Sequence, residues 1–299
     1  MRQINWNAIY GFWLVAEHGS FAAAAKQLPY GSVQALHKRV RQLESDENLN
    51  LKLFRSRGVK GVQLTEAGRR LHELVDPLFK PFELFAAELR GEDAGRLVVA
   101  LSSYAEYHYI PGVLNTFHQR FPKVTVKLQA CEPLEAINSI ERSLADVGFC
   151  SPWHTPHLVT VRARAPIPLE ILAPRSARLG SEPLTWPQIL DAPFVLLDRS
   201  SVIRQVFDDF LRRKNLLAKL RVAAEVNKFE LAVDAVAAGF GVAIVPVGPR
   251  PIRGLRGVRR LKPPPGLAEV DIAVLCREDL YMPRYMKAFV EIAANAIGG

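Results

Sequence analysis

The sequence predicts a chain in two parts. An all-α winged helix-turn-helix followed by a long helix comes first, and an α/β region of two lobes around a cleft comes second. Three observations carry this expectation. The N-terminal segment strings capped helical patterns around short turns. Two short β-prone runs then flank a Gly-rich basic loop. From Arg96 onward, short apolar runs alternate with helical patterns, which is the signature of an α/β fold. The 299 residues leave room for two or three ordinary domains. Apolar residues make up 49% and charged residues 23%, which fits a globular chain and excludes a fibrous or mainly disordered one. No apolar run is long enough for a transmembrane helix, and Met1 to Asn7 lead into no signal-like stretch, so a cytoplasmic protein without a membrane role is expected. Cys131, Cys150 and Cys276 are few and far apart. They suit reduced buried thiols better than a disulfide framework or a zinc knuckle.

The first helix is expected over Asn5 to Glu17, where Ile9, Phe12, Trp13 and Ala16 make one apolar face. Gly19 suits a left-handed C-terminal turn, and Ser20 stands where the next helix needs its N-cap. The alanine run Ala22 to Ala25 favours helix and permits close approach of a neighbour. Pro29-Tyr30-Gly31 reads as a turn, and Ser32 as a second N-cap for a helix reaching about Glu44. In that third helix Leu36, Val40 and Leu43 share the inward face. Gln34, Lys38 and Arg41 point outward, with His37 on the flank. A polar, basic outer face is what a helix entering a DNA major groove requires. Gln pairs with adenine and Lys with guanine, and Arg41 is better placed for phosphate. From Lys26 to Arg70 there are ten Lys/Arg and four acids, so +6 of the net +9 charge is concentrated there.

Short β-prone runs around Arg55-Ser56-Arg57-Gly58-Val59-Lys60-Gly61 predict a hairpin wing with Arg55 and Arg57 at phosphate. Thr65 opens a long helix in which Leu71, Leu74, Leu78, Phe82, Phe85 and Leu89 form a seam suited to dimerisation. Pro77 and Pro81 lie inside it and are expected to kink it. Gly91 to Gly95 is the expected domain boundary. Beyond it, strands are expected at 97–101, 124–128, 147–150, 194–197, 222–226 and 242–245. Helices are expected near 107–121, 132–145, 202–216 and 228–240, with mainly parallel pairing. Chain crossings near 165–170 and 265 divide this region into two lobes. Ligands in such folds sit at strand carboxyl ends beside helix N-termini.

Phe12-Trp13-Leu14-Val15-Ala16-Glu17-His18-Gly19-Ser20-Phe21, Ala24-Ala25, Leu28, Arg39-Val40, Leu43-Glu44, Leu53-Phe54 and Leu64-Thr65-Glu66-Ala67-Gly68 together resemble a LysR-type transcriptional regulator. Ala238 to Pro246 resembles the second effector lobe of that family. The resemblance implies a winged helix-turn-helix over 1–64, a linker and dimerisation helix over 65–90, and an effector domain over 91–299 like a periplasmic binding protein. Lobe I would take about 95–167 and 267–299, and lobe II about 168–266. It implies promoter DNA as partner, a homodimer or homotetramer, a small-molecule effector, RNA polymerase as a further candidate partner, and no cofactor. The DNA-binding residues it implies are Ser32, Val33, Gln34, His37, Lys38, Arg41, Arg55 and Arg57. Val33 stands where the family usually carries Gln, and at most it touches a thymine methyl. The effector cleft it implies is walled by Ser102, Ser103 and Glu132 from one lobe and Ser200, Ser201, Asn227 and Lys228 from the other. Lys228 at a helix start suggests a small carboxylate as effector, with an added positive group as second choice because of Glu132.

Other chemistries find less support. His154 and His157 are separated by Thr155-Pro156, which breaks any helix that would aim both at one metal. Gly239-Phe240-Gly241 opens a strand, so it is no dinucleotide fingerprint. No GxSxG, P-loop or HExxH occurs, so no enzyme is expected. A solute-binding receptor would explain the second part of the chain and leave the first ninety residues without a purpose. An effector-independent DNA-binding regulator is the nearer alternative.

Overall fold

The structure is a computed structural model that describes residues 5–28, 31–45, 49–56, 61–91, 93–152, 158–180 and 183–298. His154 and His157 lie outside the described residues. Contacts divide the chain into two compact units, Met1–Glu92 and Asp93–Gly299.

In the first unit, α1 (Trp6–His18), α2 (Phe21–Ala25) and α3 (Val33–Glu44) are started by side-chain caps. Asn5 accepts from the Ala8 N–H, Ser20 from Ala23 and Ser32 from Ala35, each at 3.0–3.1 Å. Gly19 ends α1 in the left-handed conformation at φ 67°. Phe12, Leu36, Val40, Leu43 and Leu53 close one core, and Val75 of the next helix joins it. The inward face expected for α3 is the buried one.

The wing pairs β1 (Phe54–Ser56) antiparallel with β2 (Val62–Leu64), Phe54 opposite Leu64. Its tip, including Arg57, lies outside the described residues. Glu44 anchors the wing's base: its carboxylate accepts from the Leu53 N–H at 2.7 Å and meets Lys52 at 3.1 Å. At the other end, the Val62 N–H donates to the Gly19 carbonyl at 3.0 Å. The Gly61 backbone passes so close that a β-carbon there would lie 2.4 Å from the Gly19 oxygen.

The linker helix α4 (Glu66–Leu89) is capped by Thr65, whose hydroxyl accepts from the Gly68 N–H at 3.0 Å. Gly68 has no room for a side chain, because a β-carbon would sit 2.2 Å from the Leu53 carbonyl oxygen. Gly68→Val is therefore expected to push the wing base off α4 and to cost the N-terminal unit about 1–3 kcal/mol, the usual range for overpacking. Thermal unfolding of the variant beside the wild type checks this. The helix runs unbroken through Pro77 and Pro81, so neither proline ends it. It is held to α1 by an aromatic cluster of Tyr10, Trp13 and Phe79 and by three polar clips. Tyr10 donates to Glu83 at 2.6 Å and Trp13 Nε1 to Asp76 at 2.8 Å, and His72 meets Glu17 at 3.0 Å. Glu17 is held below its ordinary pKa by the His72 bond. Burial works against charge on His72, but Glu17 and Asp76 keep its pKa above the ordinary value.

The second unit holds two sheets and a short strand pair. Strands β3 (Gly95–Leu101), β4 (Val124–Ala130), β5 (Val147–Cys150), β6 (Val159–Ile167) and β12 (Val270–Arg277) form a five-stranded sheet in the order β4-β3-β5-β12-β6. Strand β7 (Leu169–Pro174) lies between β10 (Ala243–Pro246) and β11 (Val258–Leu261), and β8 (Phe194–Leu197) pairs with β9 (Val222–Val226). A bridge from Phe194 to Val242 ties β8 to the neighbourhood of β10. The six expected strands are present, but the pairing is mixed, which corrects the mainly parallel expectation. β12 is antiparallel to both β5 and β6, and β7 to both β10 and β11. The chain leaves the five-stranded sheet through Pro168 and returns through residues 262–269, so β12 enters the first sheet from the far end of the sequence. Helices α5 (Ser103–His108), α6 (Ile110–Arg120), α7 (Pro133–Glu141) and α11 (Arg284–Gly298) belong to the first sheet's half. The other half carries α8 (Trp186–Leu190), α9 (Val202–Arg213) and α10 (Phe229–Ala237). Among the described residues, no helix is long and apolar enough to cross a membrane.

Candidate nucleic-acid interface and ligand cleft

The outer face of α3 exposes Gln34, Lys38 and Arg41, opposite the buried Leu36, Val40 and Leu43. Ser32 is occupied as the N-cap and is exposed at the helix start. Val33 packs in part against the core, so its methyl groups face the protein as well as the surface. His37 stacks on Phe21 with ring centroids 3.7 Å apart, which fixes the imidazole plane beside the start of α2. Between α3 and the wing runs a groove of about 480 Å³, lined by Ser20, His37, Arg41, Lys52 and Arg55 among others. It brings Arg41 and Arg55 from separate elements to one trench. Lys52 is a third cation there that sequence reasoning missed. Its place beside Glu44 comes from wing packing, which no local pattern reveals.

On α4, Leu74, Leu78, Phe82, Phe85 and Leu89 are 69%, 56%, 66%, 44% and 72% exposed. Leu71 differs from its expected companions: it packs on the helix-turn-helix core. Val75 and Phe79 take the inward face of α4, and the outward face is left apolar along four turns.

In the second unit, a cavity of about 50 Å³ lies between the two halves. Ser102, Ser103, Glu132, Ser201 and Asn227 line it, as expected, at the ends of β3, β4, β8 and β9. Tyr104, Ser151, Ile167 and Phe229 complete much of the wall. Two expected residues are absent from it. Ser200 turns to Asp198, to which its hydroxyl donates, and it also reaches Glu132. Lys228 is directed outward, with its Nζ 4.0 Å from Glu106. The carboxylate expectation thus loses its cation. Burial raises the pKa of Glu132, the nearby Asp198 charge raises it further, and the Ser200 hydrogen bond works in the opposite direction.

Residues 6–69 match the bacterial regulatory helix-turn-helix model of the LysR family, and residues 90–297 match the LysR substrate-binding domain. The chain belongs to the LysR family of transcriptional regulators. It is 30% identical over 241 residues to a probable RuBisCO transcriptional regulator of Cyanophora paradoxa, covering 78% of this chain and 73% of that protein. A full-length OxyR variant from Pseudomonas aeruginosa superposes with a TM-score of 0.69 at 16% identity, over 98% of this chain and 95% of that one. The effector-binding domain of QuiR in complex with shikimate gives 0.60 at 14% identity, over 69% of this chain and 98% of that one. Its relatives are transcriptional regulators, not enzymes.

This LysR-type regulator has a second contact zone between its lobes that sequence reasoning missed. Helix α5, itself not expected as a separate element, sends three aromatic side chains across. Tyr104 donates to the Val247 carbonyl and Tyr107 to the Pro251 carbonyl, both at 2.9 Å. The Arg250 guanidinium lies 4.7 Å from the Tyr107 ring centroid. His108 stacks on Phe229 at 5.6 Å and abuts Gly248, where a β-carbon would come within 2.7 Å of the ring. The signal was the cluster Tyr104, Tyr107, His108, Tyr109, whose ring contacts only the folded topology assigns.

Proposed function

We propose that this regulator docks α3 into the major groove of promoter DNA, with the wing on the adjacent backbone, and that a small molecule between the lobes modulates this binding. The observation that carries the reading is the exposed α3 face of Gln34, Lys38 and Arg41, whose Arg41 lines the groove that Arg55 and Lys52 also border. Gln34 and Lys38 read base edges, and Arg41, Arg55, Lys52 and the wing's Arg57 hold phosphates. Two copies joined through the outward face of α4 present two α3 helices to two half-sites. A homodimer, or a homotetramer built from such dimers, is the working assembly. It acts in the cytoplasm, with RNA polymerase as its onward partner.

Fluorescence anisotropy at several salt concentrations tests the assignment. Lys38→Ala is expected to cost about 1–3 kcal/mol on the cognate site and to relax base preference there. Arg55→Ala is expected to weaken cognate and random DNA alike and to lower the salt slope by about one unit. Equal effects of both variants on cognate and random DNA would contradict these roles.

A further inference from the structure

Among the described residues, the wall of the interlobe cavity is acidic in one place and basic nowhere. Glu132 is the one carboxylate among the described lining residues, and no Lys, Arg or His is among them. Two basic side chains directly adjacent in sequence to the wall residues are committed elsewhere. Lys228 lies by Glu106. Arg204, in the first turn of α9, is 6% exposed and already engaged. Its Nε donates to both oxygens of Asp208 at 2.9 and 3.0 Å, and its Nη1 donates to the Leu197 carbonyl and to Glu225, each at 2.9 Å. An incoming anion would meet no cation in the described wall.

The opposite sign is well served. Glu132 comes from one lobe and Asp198 from the other; the Ser200 hydroxyl donates to Asp198, and both residues lie near enough to act on the Glu132 charge. Two carboxylates brought together by approaching lobes repel, and a cation between them reverses that cost. Tyr104 and Phe229 add aromatic side chains to the same wall. Ser102, Ser103, Ser151, Ser201 and Asn227 supply oxygens that accept N–H hydrogens. The cavity of about 50 Å³ has room for a few water-sized groups, which fits an ammonium head on a short chain.

We infer that the cleft selects a small organic cation, a primary ammonium held between Glu132 and Asp198, rather than a carboxylate. This rests on the reading of the cleft as the effector site. Because the two carboxylates belong to different lobes, such a ligand binds the closed arrangement better than an open one. It therefore shifts the population toward closure.

Titration calorimetry on the full chain tests this with butylamine and putrescine as cations and with succinate and shikimate as anions. The amines are expected to bind. Glu132→Gln and Asp198→Asn should each weaken them about thirty-fold or more, the loss expected for one partner of a hydrogen-bonded charge pair. Lys228→Met should leave their affinity unchanged. Amine binding should also weaken as the pH falls and Glu132 takes up its proton. Anion binding without amine binding would overturn the charge assignment and leave the cleft as the effector site. If neither class binds, a cleft-filling Ser103→Trp variant is assayed on a promoter reporter. Loss of regulation there would reject the cation class and keep the cleft, and unchanged regulation would reject the cleft reading itself.

Discussion

Leu78→Asp is expected to dissolve the assembly and abolish operator binding together. Leu78 is 56% exposed on α4, so the charge is solvated in a single copy and the unit still folds. Once a second copy covers that face, the carboxylate is buried without a partner, at a cost of about 3–5 kcal/mol. That exceeds a hundred-fold loss in dimer affinity. Sedimentation should show the dimer dissociating at concentrations where the wild type is intact. Circular dichroism should remain unchanged. Val75→Asp is the opposite control. Val75 is buried in the helix-turn-helix core, and its replacement should unfold the N-terminal unit directly. A Leu78→Asp variant that keeps both its dimer and its DNA affinity would place the interface away from α4.

The second large effect is expected at His108. Its ring is 6% exposed and neither nitrogen has a hydrogen-bond partner. Burial pushes its pKa down to about 4; the Arg250 backbone works in the opposite direction, and the Arg250 charge adds to the depression. In the unfolded chain the same imidazole titrates near its ordinary value of 6.5. The native state therefore favours the neutral ring. Its full contribution is present above about pH 6.5 and is lost progressively as the pH falls toward 4. The difference amounts to about 3 kcal/mol across that window. His108→Phe keeps a ring on Phe229 and removes the titration. The variant's unfolding free energy should lose this part of the wild-type acid sensitivity between pH 7 and pH 4.5. Parallel pH profiles in the two proteins would show that His108 is solvated in the native state.

The N-terminal unit was legible because its determinants are local. Ser20, Ser32 and Thr65 cap the helices they precede, Gly19 takes the left-handed turn, and the apolar positions of α3 repeat with the helical period. Local reasoning failed where distant segments meet. Leu71 shares the spacing of the α4 seam, yet the core claims it, because α1 and α4 pack there. Strands β6, β7, β11 and β12 went unexpected. β12 lies between β5 and β6 only because the chain returns after the second lobe. In the cleft, the strand ends placed the site, but single-residue neighbours diverge. Ser201 and Asn227 face the cavity, whereas Ser200 turns to Asp198 and Lys228 to Glu106. Which of two adjacent residues turns inward at a helix start depends on cap dihedrals and on the opposing lobe, and neither is written in the local sequence.

Selection of binding sites from a random DNA pool by the full chain, with Lys38→Ala run in parallel, tests the account most directly. The wild type should enrich an interrupted palindrome whose half-sites lie about one helical turn apart, or a multiple of it, as two α3 helices on one face of the duplex require. Lys38→Ala should lose preference at one position within each half-site and retain the spacing. Enrichment of no sequence, or the same preferences from Lys38→Ala as from the wild type, would contradict base reading by α3.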